Sequence, residues 1–93
     1  MTMMVKDPAA RIDFEFDWHT AYADEQAVVA SEWTVAPDEV GGVVVAAVAH
    51  DLTQSTATLA GGIAGHVYRV TNRVTISDGQ IDERSITVRV EER

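Results

Sequence analysis

Side chains able to act as nucleophiles, bases or metal ligands are present in this chain, but they are dispersed. His19, His50 and His66 lie far apart, and none has a second ligand-type residue at i+2 or i+4. A zinc centre needs three or four converging ligands, so solvated loop histidines are the expectation. Asp13, Glu15 and Asp17 recur every second residue. On one strand face that spacing leaves successive carboxylates roughly 7 Å apart, too far to chelate calcium without a second acidic loop. The ladder reads instead as a solvated face that guards a strand edge. Asp78-Gly79 lacks the further acids of an EF-hand loop. Gly61-Gly62-Ile63-Ala64-Gly65 carries no Lys-Ser/Thr and opens no helical pattern, so it is no phosphate cradle. Ser55, Ser77 and Ser85 sit in no nucleophile motif, and turns favour serine in any case. Arg69 and Arg73 share an outward parity; they either dock a partner's carboxylate or pair across strands with Glu83 or another acid. No catalytic residue, cofactor, metal or small-molecule substrate is expected, and the chain does not read as an enzyme.

Composition narrows the class further. At 93 residues there is room for one domain with a modest core. Cysteine is absent, so there is neither a disulfide frame nor a thiolate metal site, and a reducing compartment is compatible. No apolar run reaches membrane-spanning length, and the N-terminus lacks the basic-then-apolar layout of a leader; a soluble chain made in the cytoplasm is expected. The formal charge of −8 argues against nucleic acid as a partner, because phosphates need Lys and Arg. Residues 1–50 hold nine acids and two bases, whereas residues 51–93 hold six and five. One side of the domain should therefore be the more acidic, serving either solubility or steering toward a basic partner.

The elements that must position these groups read as strands. Residues 1–9 show no consistent period and contain Asp7-Pro8, so they read as an N-terminal arm, with the domain proper over residues 10–93. Ile12, Phe14, Phe16 and Trp18 then alternate with the three acids, the period of a half-buried strand. Thr20 to Gln26 reads as a polar loop. A second strand runs from Ala27 to Val35, with Val29, Ser31, Trp33 and Val35 on one parity, and ends at Ala36-Pro37-Asp38-Glu39. Val40 to Ala49 is apolar at both parities. Either another chain covers its outer face, around Val44, Ala46 and Val48, or small exposed residues explain it.

Thr56 to Leu59 is a short strand with Ala57 and Leu59 inward. Gly61, Gly62 and Gly65 then bracket a loop. Tyr68, Val70, Asn72, Val74 and Ile76 share one face of the next strand, and Arg69, Thr71, Arg73 and Thr75 the other. Ser77-Asp78-Gly79-Gln80 reads as a hairpin turn. The last strand carries Ile86, Val88 and Val90 inward. About seven short antiparallel strands without a helix indicate an all-β immunoglobulin-like β-sandwich. Tyr68, after a Gly-rich corner, suits a tyrosine corner, and Trp33, Phe14 and Phe16 supply core bulk in place of a disulfide.

Several motifs in order resemble one family: Lys6-Asp7-Pro8, Asp13-Phe14, Asp17-Trp18, Ser31-Glu32-Trp33-Thr34-Val35 and Leu59-Ala60-Gly61-Gly62. They continue with Gly65, Tyr68, Thr71-Asn72, Ser77-Asp78-Gly79 and Asp82-Glu83-Arg84-Ser85-Ile86. The chain resembles the immunoglobulin-like structural proteins of tailed phages and prophages, the phage fibre-tail adaptors. Only the apolar stretch from Val40 to Ala49 departs from that pattern. The resemblance implies a non-enzymatic virion component, located in the particle after synthesis in the host cytoplasm. It would dock to other virion proteins and to further copies of itself, without membrane, nucleic acid or cofactor. Lys6, Asp7, Pro8, Val44, Ala46, Val48, Arg69 and Arg73 are the candidate docking residues. Trp18, Trp33, Tyr68, Gly61, Gly62, Gly65 and Gly79 are candidate structural residues. A capsid decoration protein and a carbohydrate-binding module, the latter using Trp18, Tyr22 and Trp33, are the alternatives.

Overall fold

Alternation of apolar and polar side chains gives each segment one face to bury, and two packed sheets are the result. The computed structural model describes residues 2–18 and 26–92. His19, Tyr22 and the expected loop over Thr20 to Gln26, apart from Gln26, lie outside the described residues. The strands are β1 (Thr2–Lys6), β2 (Ile12–Asp17), β3 (Val28–Ala36), β4 (Val43–His50), β5 (Gln54–Gly61), β6 (Val67–Ile76) and β7 (Ile81–Val90). A four-stranded sheet has the order β1-β7-β6-β3, and a three-stranded sheet the order β2-β5-β4. Pairing is antiparallel except between β1 and β7, which run parallel.

Between the sheets lie Phe16, Trp18, Val28, Leu59, Tyr68, Val70, Val74, Ile76, Ile86, Val88 and Val90, all buried. Trp18 is the largest fully buried side chain. Phe14 and Trp33 pack against this core from its margin, Trp33 stacking on Phe16 with ring centroids 5.7 Å apart. The Asp78-Gly79 hairpin closes through Gly79 N–H to Ile76 O at 2.8 Å and Ile76 N–H to Gln80 O at 2.8 Å. At Gly62, φ is +115° and a Cβ would lie 2.7 Å from Val90 Cγ2, so only glycine lets the corner close on the core. Gly65 and Gly79 occupy open turn positions.

Three features depart from the simple alternation. Residues 2–6 are an integral edge strand rather than a free arm, because Met4 and the stem of Lys6 face inward. In β3 the pairing shifts between Val28 and Ala30, so Val28 is buried and Val29 is exposed, opposite to the expected parity. In β4 a second shift falls between Val45 and Ala47. A bulge of this kind turns every later side chain to the other face.

Buried Ser55 and Asn72 belong to one connected network with Trp18. Trp18 Nε1 donates to Ser55 Oγ at 3.0 Å and to Asn72 Oδ1 at 3.2 Å. Ser55 Oγ donates to the same Asn72 oxygen. Asn72 Nδ2 donates to Ser31 Oγ and to Glu32 O, each at 2.9 Å. Arg84 lies 4.4 Å above the Trp18 ring and donates from Nη1 to Asp17 O at 3.1 Å. The cluster ties both sheets together at one end. Asn72→Ala should destabilise the domain by about 2–4 kcal/mol, since it takes the acceptor from the buried Ser55 hydroxyl, the donor from Glu32 O and one of the two partners of Trp18 Nε1. Urea unfolding at neutral pH measures this, and a loss below about 1 kcal/mol would refute the role given to Asn72.

Candidate functional site

The Lys6-Asp7-Pro8 segment joins β1 to β2 and crosses from one sheet to the other. Asp7 Oδ1 accepts from Ala9 N–H at 2.8 Å and Asp7 O from Ala10 N–H at 3.0 Å, which makes the crossing a tight turn. Lys6 is only 1% exposed, and its Nζ donates to Gly61 O at 2.6 Å and Asp7 O at 2.9 Å. Burial lowers the pKa of this ammonium, partly offset by the charge of Asp7. Lys6 is thus an internal strut and not a surface contact, contrary to the expectation for an arm that orders on docking.

A tyrosine corner is present. Tyr68 is buried, and its hydroxyl accepts from Ile63 N–H at 3.2 Å and donates to Glu39 Oε1 at 2.5 Å. His66 Nδ1 lies 2.8 Å from the same carboxylate oxygen. These two hydrogen bonds, Tyr68 first, lower the Glu39 pKa, while burial and then Glu39 raise that of Tyr68.

The remaining candidates for chemistry are also engaged in the fold. Ser55 belongs to the buried network, Ser77 Oγ accepts from Ala27 N–H at 3.1 Å, and the Ser85 and Thr71 hydroxyls bond at 2.8 Å. Among the described residues no group of His, Asp and Glu is placed to hold a metal ion. Arg73 pairs across the sheet with Glu83 at 3.8 Å, whereas Arg69 stands between Ala36 and Thr87 on the outer face. That face also exposes Met3, Val5 and Val67, of which the sequence reading singled out none.

The three-stranded sheet presents a different surface. Its outer face carries Asp13, Glu15 and Asp17 on β2, with Thr58 Oγ1 donating to Asp13 Oδ1 at 2.6 Å and Thr56 Oγ1 to Glu15 Oε2 at 3.4 Å. Its strands contain no Lys or Arg. Beyond β5 lies β4, the terminal strand, where Val44 is 51% exposed and Val48 60% exposed. The bulge separates them: Val44 pairs with Ala60 on the outer face, while Val48 pairs with the core residue Ala57. Val44, Ala46 and Val48 therefore do not form one stripe, although all three reach solvent. A shallow cleft lined by Trp33, Asp38, Val43, Val44 and Val45 runs along the start of this edge. At its far end Asp51 Oδ1 accepts from Thr53 and Gln54 N–H, each at 2.8 Å, which lowers the Asp51 pKa and holds it charged.

Residues 6–89 match the family described as Podophage GP4 fiber-tail adaptor protein gp77. The chain belongs to that family. Among curated proteins, no sequence matches it. Among solved structures it is similar to the PKD domain from the KIAA 1837 protein, with a TM-score of 0.60 and 16% identity. That likeness covers 100% of this chain and 83% of the other, and at this identity it speaks for the immunoglobulin-like fold alone. Within the adaptor family region, Trp18, Asn72, Tyr68, Arg84 and Lys6 all serve the interior described above.

The Glu39 shift has a definite sign. Its folded-state pKa lies below the ordinary 4.5, so the stability it carries is complete above that value. That stability is lost as pH falls through the lower folded-state value. Between about pH 6 and about pH 3, Glu39→Gln should therefore lose less thermal stability than the unmodified chain. Melting curves at matched ionic strength test this, and equal acid dependence in both would refute it.

Proposed function

We propose that this adaptor-family chain is a non-enzymatic structural component of a tailed-phage or prophage particle. It docks to neighbouring virion proteins in the tail and fibre region, after synthesis in the host cytoplasm. The observation that carries this reading is β4: a solvent-exposed strand at a sheet edge that bears no Asp, Glu, Lys or Arg. Soluble domains normally blunt such an edge with charge, proline or a cover. Here β2 has its acids, β3 has Glu32 and the shift at Val29, and β1 is short, while β4 has only a bulge. Engagement of the serines and of His66 in the fold supports the absence of catalysis, and the lack of bases on the three-stranded sheet supports a protein partner over nucleic acid. Trp18 is buried and Trp33 half-buried, so among the described residues neither tryptophan offers the exposed aromatic face that a sugar-binding module needs. Several copies on a symmetric particle allow modest individual contacts to suffice.

Quantitative mass spectrometry of purified particles from an induced host, scaled to the major capsid protein, tests the assignment. A low, fixed copy number is expected. Copy numbers near that of the capsid protein would indicate decoration instead, and absence from the particles would refute a virion role.

A further inference from the structure

Resting on that docking role, we propose that the β4 edge receives an extended strand from a different virion protein. The incoming segment is uncharged at its centre and flanked by Lys or Arg. β4 ends its sheet, so among the described residues its outward N–H and C=O groups have no strand partner. Main-chain hydrogen bonds to such an edge supply affinity in strand addition, and side-chain pockets on alternate positions supply specificity. After the bulge, Val48 pairs with the core residue Ala57 and so points to the inter-sheet side, yet it remains exposed. A strand added beside β4 would bring apolar side chains against Val44 and Ala47 on the outer face and against Val48 on the inner one.

Charge selects the occupant. Asp38 flanks the start of β4 and Asp51 its end, and the sheet contributes Asp13, Glu15 and Asp17 without a base. A basic-flanked strand meets complementary potential at both ends. A second copy does not fit. Antiparallel β4 to β4 pairing would set Asp38 of one copy toward Asp51 of the other, and would put the bulge at Ala46 near the symmetry axis. Like charges brought together in this way oppose association.

Amide hydrogen exchange on the free chain and on the chain within purified particles tests the proposal. The outward amides among residues 43–50 should exchange at least ~100-fold more slowly in the particle, while those of β2 change little. Unchanged β4 exchange in a chain that is present in particles overturns the strand addition but leaves the virion role intact. The charge argument has its own variant. Asp38→Asn with Asp51→Asn keeps the Asp51 turn acceptor and removes two charges. Incorporation per folded chain should fall at least about threefold at physiological salt, beyond any loss in melting temperature from the weakened Asp51 turn. Full incorporation of that variant overturns the basic-flanked partner, and protection of β4 in a concentrated solution of the free chain would assign the edge to a second copy.

Discussion

The position of Asn72 is the constraint on which the rest of the structure depends. A single amide in the centre of β6 accepts from Trp18 and Ser55 on the three-stranded side and donates to Ser31 and Glu32 O on the four-stranded side. Hydrophobic burial alone would let the two sheets slide, because contact between apolar faces is nondirectional. The amide fixes their relative position, since its donors and acceptors are satisfied in one arrangement only. Without a disulfide in the chain, this network, the Lys6 bond to Gly61 O and the Tyr68 corner are directional ties that hold the sheets in place.

Much of the fold is legible in the amino-acid order. The alternation through Phe14, Phe16 and Trp18, and that through Tyr68 to Ile76, give strands with the buried faces found in the structure. Tyr68 fulfils the corner expected of it, and the Asp78-Gly79 turn closes where it should. Asn72 among apolar neighbours of its own parity was the visible sign of a buried polar hub. Its partners Ser31 and Ser55 were not legible, because serine is equally at home in turns.

What alternation cannot convey is the position of a bulge. One extra residue at Val29 and another near Ala46 invert the facing of everything beyond them. This is why Val44, Ala46 and Val48 read as one stripe but divide between two faces. Lys6 hides β1 for a different reason: a lysine marks a segment as polar, yet its stem lies buried while its ammonium caps two backbone carbonyls. Of the candidate docking residues, the β4 positions, Arg69 and the Glu83-paired Arg73 remain on the surface, and the rim acids Asp38 and Asp51 join them only once the strand order is known.

Lys6, Trp18, Tyr68 and Asn72, which stand in the family-like motifs, lie inside the fold, whereas most of the apolar run from Val44 to Ala49 is exposed along the β4 edge. The most direct test measures melting temperature and particle incorporation together for substitutions at Trp18, Tyr68, Asn72 and Arg84 and for lysine substitutions at Val44 and Ala47. The account predicts that the first group loses incorporation only as far as it loses folded protein, while the second loses incorporation at unchanged melting temperature. An interior variant that melts normally yet fails to enter particles, with the β4 variants entering freely, would contradict it.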